Sequence, residues 1–155
     1  MLGYVLCGMV IRKSDGLARK GDVDANASVV YMPMFLDDRL ITSATAWSEL
    51  LSFSRSTTVG RFGFAKQGTP TSIELIITSD GDYSGGNTCQ FRLYNVTNAV
   101  VVYTFPATAV PQVFLSSGDI KASLPATEKT YRFEGINTVA AKSEELLYAI
   151  LKITY

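Results

Sequence analysis

Histidine is absent from this 155-residue chain, and neither sign of charge is in excess, with 14 Lys and Arg against 14 Asp and Glu. Without imidazole the commonest general base and metal ligand is missing, and a Ser or Cys nucleophile loses its usual activator. No glycine-rich phosphate cradle ending in Lys-Ser or Lys-Thr occurs, which removes that class of nucleotide hydrolase. A formal charge of zero takes away the long-range attraction that draws proteins to nucleic acid or to an anionic membrane. Cysteine is scarce. Cys7 and Cys89 are too few for a zinc set and too far apart for a redox motif, and Cys89, alternating with Phe91 and Leu93, reads as a buried free thiol. Long hydrophobic runs are also lacking: residues 2–11 are apolar, but too short to span a bilayer and without a basic residue ahead of them, so they read as neither anchor nor signal peptide.

What is present is a period of two. From Arg61 to Tyr155, short runs alternate apolar and polar residues and are interrupted by Gly, Pro, Asn, Asp and Ser, the pattern of half-buried strands. Ile73, Leu75 and Ile77 share one face while Glu74 and Thr78 share the other; Cys89, Phe91 and Leu93 alternate with Gln90, Arg92 and Tyr94. These two runs are expected to pair as a long hairpin across residues 80–87. Residues 95–98 supply turn chemistry before a strand over 100–105 that stops at Pro106. A strand over 112–115, a turn over 116–119, and a strand carrying Tyr131 and Phe133 follow. Leu147, Ala149, Leu151, Ile153 and Tyr155 then fall on one face, as in a strand docked in a sheet. Ala46, Trp47, Leu50 and Leu51 suggest a short helical turn.

Seven or eight such strands without an internal repeat predict an all-β fold, an antiparallel β-sandwich or jelly roll, with an extended N-terminal arm. The length suits one core, so residues 1–58 are read as the arm and the segment leading from it, and residues 59–155 as the sandwich of a single domain. Only 18% of residues are charged, which leaves a surface suited to burial against other subunits.

Chemistry-bearing motifs are few. Asp80, Asp82, Ser84 and Gly85 open like a calcium loop, but Phe91 stands where a bidentate Glu belongs, so an EF-hand is excluded and only a looser ligand loop of Asp80, Asp82, Tyr83 and Asn87 remains open beside a plain turn-rich loop. Carboxylate pairs for glycoside hydrolysis, Glu74 with Glu134 or Asp82 with Asp119, are available only if the fold brings them face to face. No cofactor is implied, and the chain reads as non-catalytic. Trp47, Tyr83, Tyr94 and Tyr103 offer flat faces for pyranose rings, with Asp80, Asp82, Asn87 or Arg92 at the rim; packing at sheet edges or subunit contacts would employ the same side chains.

FRLYNVTN at 91–98 with the valines after it, Ser117-Gly-Asp at 117–119, Leu124 and Pro125 with Glu128 and Lys129 ahead of Tyr131, and the final LKITY resemble the jelly-roll modules of tailed-phage virions, found in capsid decoration (cement) proteins and in fibre or carbohydrate-binding domains. Because these markers are turn and strand residues, the resemblance specifies fold better than function, and it brings no catalytic residues. It implies a decoration protein on the outer surface of the virion capsid, bridging capsomers, with the major capsid protein and further copies of itself (a homotrimer) as partners, and neither nucleic acid nor membrane. The alternative is a carbohydrate- or receptor-binding module of a tail fibre or secreted adhesin. The first 58 residues have no counterpart in that pattern. There Leu2, Tyr4, Val5, Leu6, Met9, Val10 and Ile11 either clamp a neighbouring subunit on assembly or form an extra strand of the same sandwich.

Overall fold

The alternation is realised as extended backbone. The computed structural model describes residues 9–12, 16–18, 29–34, 39–52 and 61–155, and among them every regular element except two single 3-10 turns is a strand: β1 (Met9–Arg12), β2 (Gly16–Ala18), β3 (Val29–Pro33), β4 (Leu40–Thr42), β5 (Ser48–Glu49), β6 (Leu51–Ser52), β7 (Arg61–Phe64), β8 (Ser72–Gly81), β9 (Cys89–Asn95), β10 (Val100–Thr104), β11 (Val113–Asp119), β12 (Lys129–Asn137) and β13 (Glu144–Thr154). The larger sheet runs β11-β8-β13-β3-β1-β2, with β4 pairing both β13 and β6; the smaller runs β10-β9-β12-β5, with β7 also on β12. All pairings are antiparallel. After β8 the chain changes sheet at every step except β9 to β10. That winding is a jelly roll, which interleaves distant strands in two facing layers.

The layers close on one core. Ile73, Leu75, Ile77, Ala149, Leu151 and Ile153 from the larger sheet meet Phe91, Leu93, Tyr131 and Phe133 from the smaller, all buried. Phe62 lies nearly parallel to Tyr131, ring centres 5.7 Å apart, and contacts Phe133 at 5.8 Å. Cys89 is a fully buried free thiol.

Several expectations need correction. β8 and β9 do not form a hairpin: β8 pairs with β11 and β13, β9 with β10 and β12, because a period of two fixes which face is dry but not which strand lies alongside. Residues 116–119 are not a turn but the end of β11, which continues through a register shift to Asp119. There Ser117 Oγ and Asp119 Oδ1 accept hydrogen bonds from the backbone N–H groups of Leu75 and Ile73, replacing ladder bonds that the shift removes. Around residues 46–51 the chain carries the short strands β5 and β6, joined by irregular backbone, in place of a helical turn. In β13 a register shift between Leu146 and Tyr148 turns Leu146, not Leu147, into the core. Short additional strands raise the total above eight.

Of the N-terminal residues, Met9–Arg12 pairs with β3 and with β2, extending the larger sheet, so this part of the segment is strand. Leu2, Tyr4, Val5 and Leu6 lie outside the described residues.

Between the two sheets, Gly135 faces Glu144: a Cβ at Gly135 would strike Glu144 Oε1, sit 2.7 Å from its Cδ and 3.1 Å from Leu50 Cδ2. Because Glu144 is itself fully buried, it has nowhere to swing. Gly135→Ala is therefore expected to lower unfolding stability by about 2 kcal/mol, measured by urea denaturation, with Glu144→Ala in the same chain restoring part of the loss.

Candidate functional site

Two opposite sheet faces carry the surface chemistry. On the smaller sheet, odd–even alternation sends Phe91 and Leu93 inward and Gln90, Arg92 and Tyr94 outward, while on β12 it sends Arg132 outward beside Tyr94 and Glu134 beside Arg92. With β10, β7 and β5 alongside, two cross-strand rows result: Val101–Tyr94–Arg132–Arg61 and Thr104–Arg92–Glu134–Glu49.

The rows are held by a charge and ring network. Arg92 Nε donates to Glu134 Oε2 at 2.5 Å, and Arg132 donates to Oε1 through Nε at 2.8 Å and through Nη2. Glu49 accepts two bonds from Arg61, at 2.8 and 2.7 Å, and a longer one from Arg132 Nη1 at 3.4 Å. The Arg92 guanidinium lies 4.3 Å from the centre of the Trp47 ring and 5.7 Å from that of Tyr94, over which Arg132 sits at 5.0 Å. These are cation–π distances. Glu134 is only 2% exposed, so its paired charge is shielded and the arginines are fixed in place.

The larger sheet shows the reverse character outside. Phe114, Thr78 and Tyr148 form one cross-strand row, and Ser116, Ile76, Ile150 and Pro33 the next. Phe114 is 74% exposed and Tyr148 43%. The Glu74–Lys152 ion pair, 3.0 Å, borders the patch. Isolated apolar residues on a surface are ordinary, but two large aromatic rings in one row over an apolar second row are not.

The loop residues singled out by sequence stand elsewhere. Asp80 Oδ1 accepts the Gly81 N–H, and Asp82 accepts from the Ser84 N–H and hydroxyl while pairing with Lys142 at 2.9 Å. Those bonds, led by the Ser84 hydroxyl, lower the Asp82 carboxyl to about 2. Both line a surface cleft with Arg39, Ser143 and Glu145, yet among the described residues no three His, Cys, Asp or Glu side chains are grouped to hold a metal. Asn87 is fully buried, its amide donating to Asp82 O and Asn137 Oδ1 and accepting from Val139 N, so it is spent on the loop's own architecture. The Tyr83 ring packs on the core, and burial raises its hydroxyl above the usual range. Tyr103 turns inward and meets Phe105 edge-on at 5.0 Å.

Neither carboxylate pair converges. Glu74 and Glu134 occupy the outer faces of different sheets, and Asp119 binds the start of β8 while Asp82 follows its end, about 30 Å away for a strand of ten residues. Of the proposed sugar-facing side chains, the fold assembles Trp47, Tyr94 and Arg92 and disperses the rest. Glu134, Arg132 and Glu49 were missed as members of that site; only the cross-strand register brings them to it.

No protein-family model matches the chain, and no curated protein does. Among solved structures it is similar to a xylan-binding module, CBM15, at 10% identity and a TM-score of 0.47 over 81% of this chain and 95% of that one. It is also similar to the VP2 subviral particle of infectious bursal disease virus, at 11% identity and a TM-score of 0.43 over 92% of this chain and 35% of that one. Function rests on the side chains of this chain.

Proposed function

We propose that this chain is a capsid decoration protein of a tailed bacteriophage, seated on the outer surface of the virion through the outer face of the larger sheet. The observation that carries the reading is the exposed row of Phe114 and Tyr148 over Ile76 and Ile150. Burying such a patch against the major capsid protein removes apolar area from water, and the neutral overall charge opposes close packing of copies less than a strongly charged chain would. The resemblance of the turn and strand residues to virion jelly rolls supports the same assignment. Copies arranged about a symmetry axis, as a homotrimer, bridge several capsomers, so individually modest contacts combine by avidity. The role is mechanical and non-catalytic. A glycan- or receptor-binding module is the second reading, favoured by a different face, that of Trp47, Arg92 and Tyr94.

Undecorated phage heads mixed with the purified protein test the first reading. Saturable occupancy at symmetry-related positions is expected, and Phe114→Ser with Tyr148→Ser is expected to weaken it about tenfold or more without lowering thermal stability, since both rings are exposed. Occupancy unaffected by the double substitution, or no occupancy at all, overturns it.

A further inference from the structure

Arg92 is held on three sides yet only partly used. Its Nε is bonded to Glu134, the guanidinium plane is fixed over Trp47 and near Tyr94, and among the described residues Nη1 and Nη2 carry no hydrogen bond. A guanidinium with two free, parallel donors is the geometry that grips a carboxylate bidentately, and here the fork is pre-set by neighbouring rings and loses little freedom on binding. The surrounding network holds three arginines, Arg61, Arg92 and Arg132, against two carboxylates, Glu49 and Glu134, leaving one uncompensated positive charge.

We infer that this face binds an acidic polysaccharide, with the carboxylate of a uronic acid residue seated on the Arg92 fork between Trp47 and Tyr94. The inference rests on the glycan-binding reading and deepens it by naming the ligand class. The two rows span three inter-strand steps, about 14 Å, a flat track along which successive sugar rings lie against Tyr94 and Val101 and share hydroxyl bonds with Thr104 and with the side-chain carbonyl of Gln90, whose Nε2 is committed to Phe105 O. A polyphosphate needs several cations to displace its counterions, and this face offers one net charge and no lysine among its row members. An acidic peptide would need a groove or an open strand edge for its backbone, whereas these residues stand on the interior strands β9 and β12.

Isothermal titration with galacturonate oligomers at physiological salt tests the assignment, with the methyl-esterified oligomer, a neutral xylo-oligomer and poly-glutamate as comparisons. The galacturonate oligomer is expected to bind, its methyl ester about tenfold more weakly, and Arg92→Lys to bring the free acid down to the ester's affinity, because Lys keeps the charge and loses the fork. The ester comparison alters no residue, so it stands even if the variant folds poorly. Equal binding of neutral or esterified oligomers overturns the carboxylate assignment and leaves the glycan reading standing. Absence of any glycan binding overturns both, and tighter binding of poly-glutamate moves the face to a protein ligand.

Discussion

Glu144→Gln is expected to flatten the pH dependence of this protein's stability and to leave the variant the more stable form above neutrality. Glu144 opens β13 facing inward, is fully buried, and neither of its carboxyl oxygens has a hydrogen-bond partner among the described residues. Burial pushes the carboxyl from 4.5 up to about 8; the Gln90 backbone N–H, which lies nearby but outside hydrogen-bond geometry, is the smaller, opposing influence. The sign follows from proton counting. Below pH 4.5 the group is protonated in folded and unfolded chains alike, and nothing is lost. Between 4.5 and about 8 the unfolded chain releases the proton while the folded chain keeps it, so stability falls with rising pH by about 1.4 kcal/mol per unit. Above about 8 both states are ionised and the deficit levels off, at about 4 to 5 kcal/mol. Glutamine has no proton to release. Urea denaturation of both proteins at pH 5, 7 and 8.5 should therefore give curves that diverge as pH rises; parallel curves would mean that the carboxyl is hydrated or paired in solution.

Glu134→Ala carries the second large effect, an expected loss of about 3 kcal/mol. Its carboxylate is the shared partner of Arg92 and Arg132, and removing one member of a shielded ion network leaves the remaining charges facing one another without a counterion. Glu49→Ala is the internal comparison. It mainly loses Arg61, whose side chain is 43% exposed and so nearer water than either arginine on Glu134, and pairs open to solvent contribute less. Thermal melts of both variants should separate clearly, with Glu134→Ala the lower. Equal melting temperatures would show that the rings over the arginines hold the sheet face without help from the carboxylate. Arg92, Arg132 and Glu134 changed together to Met should cost much less than Glu134→Ala alone, since apolar replacement removes every stranded charge at once.

The dry faces of β8, β9 and β12 were legible residue by residue, because alternation of Ile73, Leu75 and Ile77, of Phe91 and Leu93, and of Tyr131 and Phe133 leaves little choice about what is buried. Sheet membership was not. A residue in a strand carries no mark of its neighbour across the ladder, so β8 and β9 looked like a hairpin while lying in opposite layers. The register shift that exchanges Leu147 for Leu146 was equally hidden, since both are leucine and the shift depends on the partner strand. Glu144 was passed over because a charged residue at a strand start ordinarily faces water. At the candidate site, Trp47, Tyr94 and Arg92 were named for their ring and hydrogen-bonding chemistry. Tyr83, Tyr103 and Asn87 have the same chemistry, and only burial in the fold distinguishes them.

The winding of the two layers has a kinetic consequence. β8 is flanked by β11 and β13, and the last of these begins more than sixty positions further along the chain, with Gly81 opposite Glu144 and Ser72 opposite Thr154. Such pairings close large loops before any contact compensates the lost chain entropy, which places jelly rolls among slowly forming topologies. Until β13 arrives, β8 presents a bare edge rich in isoleucine, and crowded nascent chains meet each other there first. Slow synthesis or a holdase chaperone would raise the yield of native protein more than any substitution on the finished surface.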